Sequence, residues 1–207
     1  MIKFIAADLD GTLLNSSHAL PDGFMELVEK LYDMGITFAA ASGRQYYGVE
    51  KLFMPVRDKM MFIAENGGVA YEKGQLIYSL PMPADDVLAM VHEAEKLYDK
   101  GVRILLSGEN CAYVADSDKD FSDSCNTYCA RLKTVNDFSV IPDDDRIIKI
   151  ALFDKNAETQ VYPAMKRFSD DFNVILSNTC WVDIVGKTVN KGTAVTKLME
   201  RLGAGYD

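Results

Sequence analysis

The stretch Asp8-Leu9-Asp10-Gly11-Thr12-Leu13 places two carboxylates two positions apart at the end of a short apolar run. Residues two apart in an extended chain project to the same side. Asp8 and Asp10 can therefore share a divalent cation, or divide the work of nucleophile and acid/base between them. Like charges this close are costly unless something binds them. Gly11 lets the chain turn sharply, and Thr12 offers a hydroxyl and a backbone N–H to an anion. With about 5–7% usage of each residue type, the four fixed positions of Asp-x-Asp-Gly-Thr arise by chance on the order of once in 10⁵ positions.

The elements around this pattern set where it can lie. Residues 3–9 form a mostly apolar run too short for a packed helix, which suits a strand buried on both faces of a parallel sheet. Leu20, Phe24, Leu27, Val28, Leu31 and Met34 follow helical spacing, with Pro21 near the start and Gly35 at the stop. Residues 36–41 read as a second buried strand, 45–54 as a helix ended by Pro55, and 60–64 as a third strand. The order βαβαβ predicts right-handed crossovers in a doubly wound, Rossmann-like α/β sheet, whose ligand crevice lies at the carboxyl ends of the strands. The two acids sit at such an end.

After Asn66-Gly67-Gly68 the rhythm changes. Residues 69–71 and 76–78 flank Glu72-Lys73-Gly74-Gln75, a hairpin signal. An amphipathic helix is expected over 84–100, closed by Gly101, then strands at 102–106, 111–114, 147–153, 173–176 and 181–185, with helices near 118–131 and 157–168. This middle reads as an α+β unit inserted into the first fold, giving a core of 1–82 with 186–207 and an insert of 83–185. Charge divides the same way: 83–185 holds 19 acidic and 11 basic side chains, the remainder 12 and 11.

The 207 residues are 48% hydrophobic and 26% charged, which suits a folded globular protein. A net charge of -9 without a basic run disfavours nucleic acid and anionic lipid as partners. No apolar stretch reaches the roughly 20 residues that span a bilayer, and acids follow the N-terminus too soon for a signal peptide, so a cytoplasmic location is expected. Cys111, Cys125, Cys129 and Cys180 lack the partners of a zinc site and read as free thiols.

The first pattern resembles motif one of the haloacid dehalogenase superfamily of aspartate-nucleophile phosphotransferases. Ala41-Ser42-Gly43-Arg44 resembles its second motif and Asn190-Lys191-Gly192-Thr193-Ala194 its third, in the required order. The hairpin, the insert between motifs two and three, and the Ser-Gly-Arg and Asn-Lys-Gly forms are similar to Cof-like sugar-phosphate phosphatases with a large α/β cap. The resemblance implies a phosphatase of small phosphorylated metabolites in which Asp8 attacks phosphorus, and Asp10 protonates the leaving oxygen and then activates water. It implies that Thr12, Ser42, Gly43 and Lys191 bind phosphate, that Arg44, Asn66 and Asn190 bind substrate, and that Asp8 and Asp10 hold Mg²⁺.

Taken singly, these residues keep plain alternatives. Ser42 could cap the following helix, Arg44 could form a surface ion pair, Lys191 could be solvated and Asn66 could merely serve a turn. His18 and His92 read as structural or exposed, and Trp181 as core of the insert.

The family's fourth motif, Gly-Asp-x-x-Asn-Asp on a strand after the helix beginning near Lys191, has no counterpart among the 16 residues that follow Lys191. Glu200 and Asp207 are poor substitutes for its metal ligand. A core truncated at its C-terminal end is therefore expected, with the strand carrying Asp8 left at a sheet edge. Such a fragment would fold imperfectly or self-associate through that edge, bind Mg²⁺ weakly and turn over little. Competing functions are a noncatalytic phosphoester-binding protein, which would release no phosphate, and a phosphomutase or other phosphotransferase, which would pass phosphate to an added acceptor.

Overall fold

The computed structural model describes residues 2–115, 119–142 and 144–205. The chain forms two compact units, Met1–Ser79 with Val189–Asp207, and Leu80–Thr188. The second unit extends three residues beyond the expected insert at each end. Hydrogen bonding accounts for the difference: the Met82 N–H donates to Ile147 O at 2.8 Å, and Lys187 Nζ donates to Ser169 O at 2.6 Å.

In chain order the first unit contains β1 (Phe4–Asp8), α1 (Phe24–Asp33), β2 (Thr37–Ala41), α2 (Tyr46–Leu52), β3 (Met60–Ala64), β4 (Val69–Glu72) and β5 (Gln75–Ser79). The second contains α3 (Ala84–Glu95), β6 (Arg103–Gly108), β7 (Ala112–Val114), α4 (Lys119–Tyr128), β8 (Leu132–Thr134), β9 (Ile147–Phe153), α5 (Tyr162–Met165), β10 (Phe172–Asn178) and β11 (Trp181–Gly186). The chain then returns to the first unit as α6 (Lys191–Leu202).

The first sheet runs β1-β2-β3-β4-β5, with β1, β2 and β3 parallel to one another and the β3–β4 and β4–β5 pairs antiparallel. Three consecutive alanines in β2 would favour helix locally, but burial on both faces decides for strand: Ala39, Ala40 and Ala41 are all buried. One face meets an aromatic cluster in which Phe24 of α1 lies 5.4 Å from Phe38, while Phe53, after α2, lies 5.9 Å from Phe62. Ala39, Ala41, Met61, Ile63 and Ala70 on the other face pack with Ala194 and Leu198 of α6. Each large side chain so buried stabilises the fold by about 1.5–3 kcal/mol.

Helix α1 stops at Gly35, whose φ of 74° lets its N–H reach Tyr32 O and the Ile36 N–H reach Leu31 O, so the last carbonyls are satisfied. Among the described strands β1 stands at the edge of this sheet, and its Ala6 is exposed.

The second unit has a six-stranded sheet, β10-β11-β9-β6-β7-β8, antiparallel except for the β7–β8 pair. Val87, Met90, Val91 and Ala94 of α3 pack with Ile104, Leu106, Ile150 and Leu152. Phe121 and Cys125 of α4 pack with Leu105, Ala112, Val114 and Ala151, and Trp181 joins Phe121 and Phe153 at 6.0 and 5.2 Å.

The expected helix over 84–100 ends at Glu95, and Tyr98–Lys100 forms a separate 3₁₀ turn closed by Gly101. The one helix expected over 157–168 is a π turn at Ala157–Val161, a single α turn, and a 3₁₀ turn at Lys166–Phe168. Cys111 and Cys125 are buried, Cys129 and Cys180 half-buried, and none of the four is in a disulfide among the described residues. Asp118, the expected start of a helix, and Asp207 lie outside the described residues. Among the described residues, no helix is long and apolar enough to cross a membrane.

Candidate active site

Parallel pairing of β1 with β2 sets Asp8 beside Ala41, and of β2 with β3 sets Ala41 beside Ile63. The carboxyl ends of all three strands therefore open on one edge of the sheet, where Asp8, Ser42 and Glu65 begin their loops. After Asp8 the chain turns back on itself: Leu13 and Leu14 donate N–H bonds to Leu9 O at 3.1 and 2.9 Å. Gly11, with φ 77°, makes that reversal possible.

Two ion pairs dominate the edge. The Lys191 ammonium, from the first residue of α6, bonds to Asp8 Oδ1, and both side chains are 39% exposed. Arg44 grips Asp10 with two bonds, Nε to Oδ2 at 3.0 Å and a terminal guanidinium nitrogen to Oδ1 at 2.5 Å. This two-pronged geometry is one that arginine, unlike lysine, can supply. Asp10 keeps 47% of its side chain open.

Ser42 is 1% exposed. Its N–H donates to Ile63 O at 2.9 Å and its Oγ accepts the Arg44 N–H at 3.1 Å. The hydroxyl thus ties its own loop rather than capping α2, whose N-terminal flank is Gln45. Its proton is left to donate. The Thr12 hydroxyl stands 3.5 Å from Asp8 Oδ2, while the Thr12 N–H, expected to serve an anion, is directed to Leu9 O at 3.3 Å. Asn190 caps α6, its side chain accepting the Thr193 N–H at 2.8 Å. This cap fixes the first turn of α6 and with it the root of the Lys191 side chain.

The backbone of Asn66 donates to Ser42 O at 3.2 Å, and the Asn66 side chain covers Gly43 so closely that a Cβ on Gly43 would lie 2.5 Å from its Oδ1. Asp8, Asp10, Thr12, Ser42, Gly43, Arg44, Asn66, Asn190 and Lys191 are thus all gathered within the first unit.

Two further residues join them that spacing alone does not announce. His18 Nδ1 lies 3.4 Å from the Arg44 guanidinium and 3.8 Å from Asp10. Asn15 delivers it by accepting the N–H groups of Ser17 and Ala19 at 2.9 and 3.0 Å. The polar run Asn15-Ser16-Ser17 was a signal of that turn, but not of its destination. Glu65, 2% exposed, donates its N–H to Arg44 O. His92 is exposed on α3.

The donor set suits a hard cation. Mg²⁺ binds through one or two carboxylates, with waters and substrate oxygens completing its shell. Asp8 Oδ2 has only the long approach of Thr12 among its described contacts, and Asp10 has a main-chain carbonyl as well as its carboxylate. No group of three or more His, Cys, Asp or Glu side chains among the described residues forms a larger metal cluster.

The model of the haloacid dehalogenase-like hydrolase family matches residues 5–207. This chain belongs to that family. It is similar to the 5-amino-6-(5-phospho-D-ribitylamino)uracil phosphatase YbjI of Escherichia coli, with 28% identity over 98% of this chain and 74% of that protein. It is also similar to a solved protein of Streptococcus mutans, with 26% identity, a TM-score of 0.85, and coverage of 100% of this chain and 79% of that one. A sugar phosphatase of haloacid dehalogenase subclass IIB shares the fold, with 19% identity, a TM-score of 0.74, and coverage of 98% of this chain and 77% of that one. Phosphatase activity is the function this kinship supports, since curated relatives matched over 98% of this chain are named phosphatases or putative phosphatases.

Proposed function

We propose that this hydrolase is a Mg²⁺-dependent phosphatase of small phosphorylated metabolites that works through a phosphorylated Asp8. One observation carries the reading: Asp8 and Asp10 meet Lys191 and Arg44, cations from distant parts of the sequence, beside the hydroxyl of Ser42 at the carboxyl ends of parallel strands. Two curbed carboxylates and two cations on one edge suit an anionic substrate that must be attacked by an anion.

Asp8 Oδ2 attacks phosphorus, forming an O–P bond as the bond to the leaving oxygen breaks and that oxygen takes the electron pair. Asp10 supplies the proton. In the second step Asp10 removes a proton from water, whose oxygen attacks phosphorus and frees the Asp8 carboxylate. A carboxylate is a weak nucleophile toward a phosphate ester, so the rate rests on neutralising charge as it develops. Lys191 provides a compact cation at Asp8 for this purpose, and Ser42 a hydroxyl proton for a phosphoryl oxygen. The carboxylate of Asp8 and the main-chain carbonyl of Asp10 would hold the Mg²⁺, which supplies further charge neutralisation and orients the phosphate.

Arg44 occupies both oxygens of Asp10. A protonated Asp10 carries hydrogen on one of them, so the acid step requires Arg44 to release at least that bond. An arriving anion gives the guanidinium a second partner. On this reading substrate choice belongs to the insert expected over residues 83–185. The phosphorylated ribityl compound in the name of the Escherichia coli relative and the sugar phosphatase of similar fold support a sugar-like or polyol phosphate.

The test is phosphate release from an aryl phosphate with Mg²⁺ or with chelator. Release is expected with metal, to vanish with chelator, and to fall by about 10³-fold or more in Asp8→Asn. Undiminished release by a folded Asp8→Asn protein would overturn the assignment.

A further inference from the structure

Where β3 leaves the sheet, three successive residues take left-handed backbone: Glu65 at φ 48°, Asn66 at 59° and Gly67 at 97°. Only glycine adopts this region without steric penalty, and asparagine tolerates it better than glutamate. Such a run persists where its surroundings impose it, and it clusters at functional sites.

The contacts show what this backbone accomplishes. The N–H of Glu65 donates to Arg44 O at 3.1 Å and the N–H of Asn66 to Ser42 O at 3.2 Å, so two adjacent amides grip alternate carbonyls of the second-motif loop. Between them the Asn66 side chain presses on Gly43. On its other side the turn meets α6: a Cβ on Gly67 would collide with the Asn190 carbonyl oxygen and lie 2.8 Å from the Lys191 backbone nitrogen. One three-residue turn is therefore wedged between the loop bearing Ser42 and Arg44 and the helix start bearing Lys191.

We propose that Glu65–Gly67 is a positioning turn that sets the spacing between the Ser42–Arg44 loop and the amino end of α6, so that the Ser42 hydroxyl and the Lys191 ammonium meet the same phosphoryl group. The inference rests on the phosphatase reading above. The turn acts through Gly43, Asn190 and Lys191 and needs no contact with substrate.

Three variants of the full chain test it, each followed by thermal unfolding, by kcat and KM for an aryl phosphate with Mg²⁺, and by calorimetric binding of inorganic phosphate. Gly67→Ala forces Asn190 and Lys191 away from the loop. Gly74→Ala, in the hairpin between β4 and β5, imposes a similar backbone strain at φ 77° but its Cβ would meet nothing. Asn66→Gly keeps the left-handed backbone and removes the wedge on Gly43.

Misplacement by about 1 Å costs on the order of 10²-fold in rate, so kcat is expected to fall by about that factor in Gly67→Ala and about tenfold in Asn66→Gly, with KM changing less. Gly74→Ala is expected to lower the unfolding temperature while kcat stays within about twofold. Should Gly67→Ala fail to fold, Asn66→Gly decides alone.

If kcat and phosphate affinity of folded Asn66→Gly, and of Gly67→Ala where it folds, stay within about twofold of the starting chain, the positioning role is refuted. If the starting chain binds phosphate without turnover, the phosphate affinities of the variants carry the same comparison. A starting chain that neither hydrolyses the ester nor binds phosphate overturns the phosphatase reading itself, and this inference with it.

Discussion

Asp145 in the second unit and Asp8 in the first are both carboxylates held by hydrogen bonds, yet their partners differ in kind. Asp145 is 4% exposed and accepts the Asn110 N–H at 2.8 Å and the Tyr113 hydroxyl at 2.6 Å. Gly108 lies so close that a Cβ there would come 2.5 Å from its Oδ1. Asp8 has 39% of its side chain open and is held by the ammonium of a long, flexible lysine and, loosely, by the Thr12 hydroxyl. Backbone amides and a packed phenol cannot leave, so Asp145 fastens the loops around it. A lysine can move by an ångström at little cost, so Asp8 can exchange one partner for another. On the reading proposed above, Asp145 fastens structure while Asp8, open and facing a long cation beside Asp10 and Arg44, is left available for chemistry.

The largest effect that sharpens this contrast is expected for Lys191→Ala. Without the ammonium, charge developing at Asp8 and the phosphoryl group goes uncompensated, and kcat should fall by about 10²–10³-fold. An ion pair this open contributes little to stability, so the unfolding temperature should stay within about 2 °C. Steady-state kinetics beside a thermal melt reads both. A large loss of stability with little loss of rate would place Asp8 with Asp145 as a fastening group.

The same contrast explains how much of the molecule was legible in the sequence. Strands β2 and β3 were readable because burial on both faces demands an unbroken apolar run, and the hairpin because Gly74 marks its turn. Strand β8 was not: it has three residues, two of them exposed, and exists because Leu132, Lys133 and Thr134 lie parallel to Ala112, Tyr113 and Val114. No local signal encodes such a pairing.

At the site, Asp8, Asp10, Ser42, Arg44 and Lys191 were legible as motifs. That Arg44 would clasp Asp10, 34 positions away, was not, because ion pairs leave no periodic trace. Nor was the left-handed Glu65, since glutamate rarely adopts that backbone and its type gives no warning. The asparagine and glycine after it announced a turn, but not the two elements it separates.

A smaller effect, on stability instead of rate, is expected for Asp145→Ala. A buried hydroxyl and a part-buried amide lose their acceptor, at about 1–3 kcal/mol each, so urea unfolding followed by Trp181 fluorescence should show a loss of about 3 kcal/mol. Phosphate release per folded molecule should stay within about twofold. A loss below about 1 kcal/mol would mean that water replaces the carboxylate, and the distinction between fastening and reactive acids would fail in the second unit.

The smallest effect concerns the other end of the same bond. Burial, and then the hydrogen bond to Asp145, hold the Tyr113 hydroxyl well above its ordinary pKa. The sign follows from linkage. Below about pH 10 the hydroxyl is protonated in both folded and unfolded chains, and its contribution to stability is complete. As pH rises past about 10, the unfolded chain gives up this proton first, so stability declines until the folded hydroxyl also titrates. Tyr113→Phe should cost about 1.5 kcal/mol at pH 7, through a buried carboxylate left one donor short. It should also flatten the alkaline decline without abolishing it, because burial and Glu50 raise Tyr46 in the same direction. Urea unfolding at pH 7, 10 and 11 measures both. Stability curves that run parallel for the two proteins would show that Asp145 does not hold this proton, and would leave the Asn110 amide as its fastening partner.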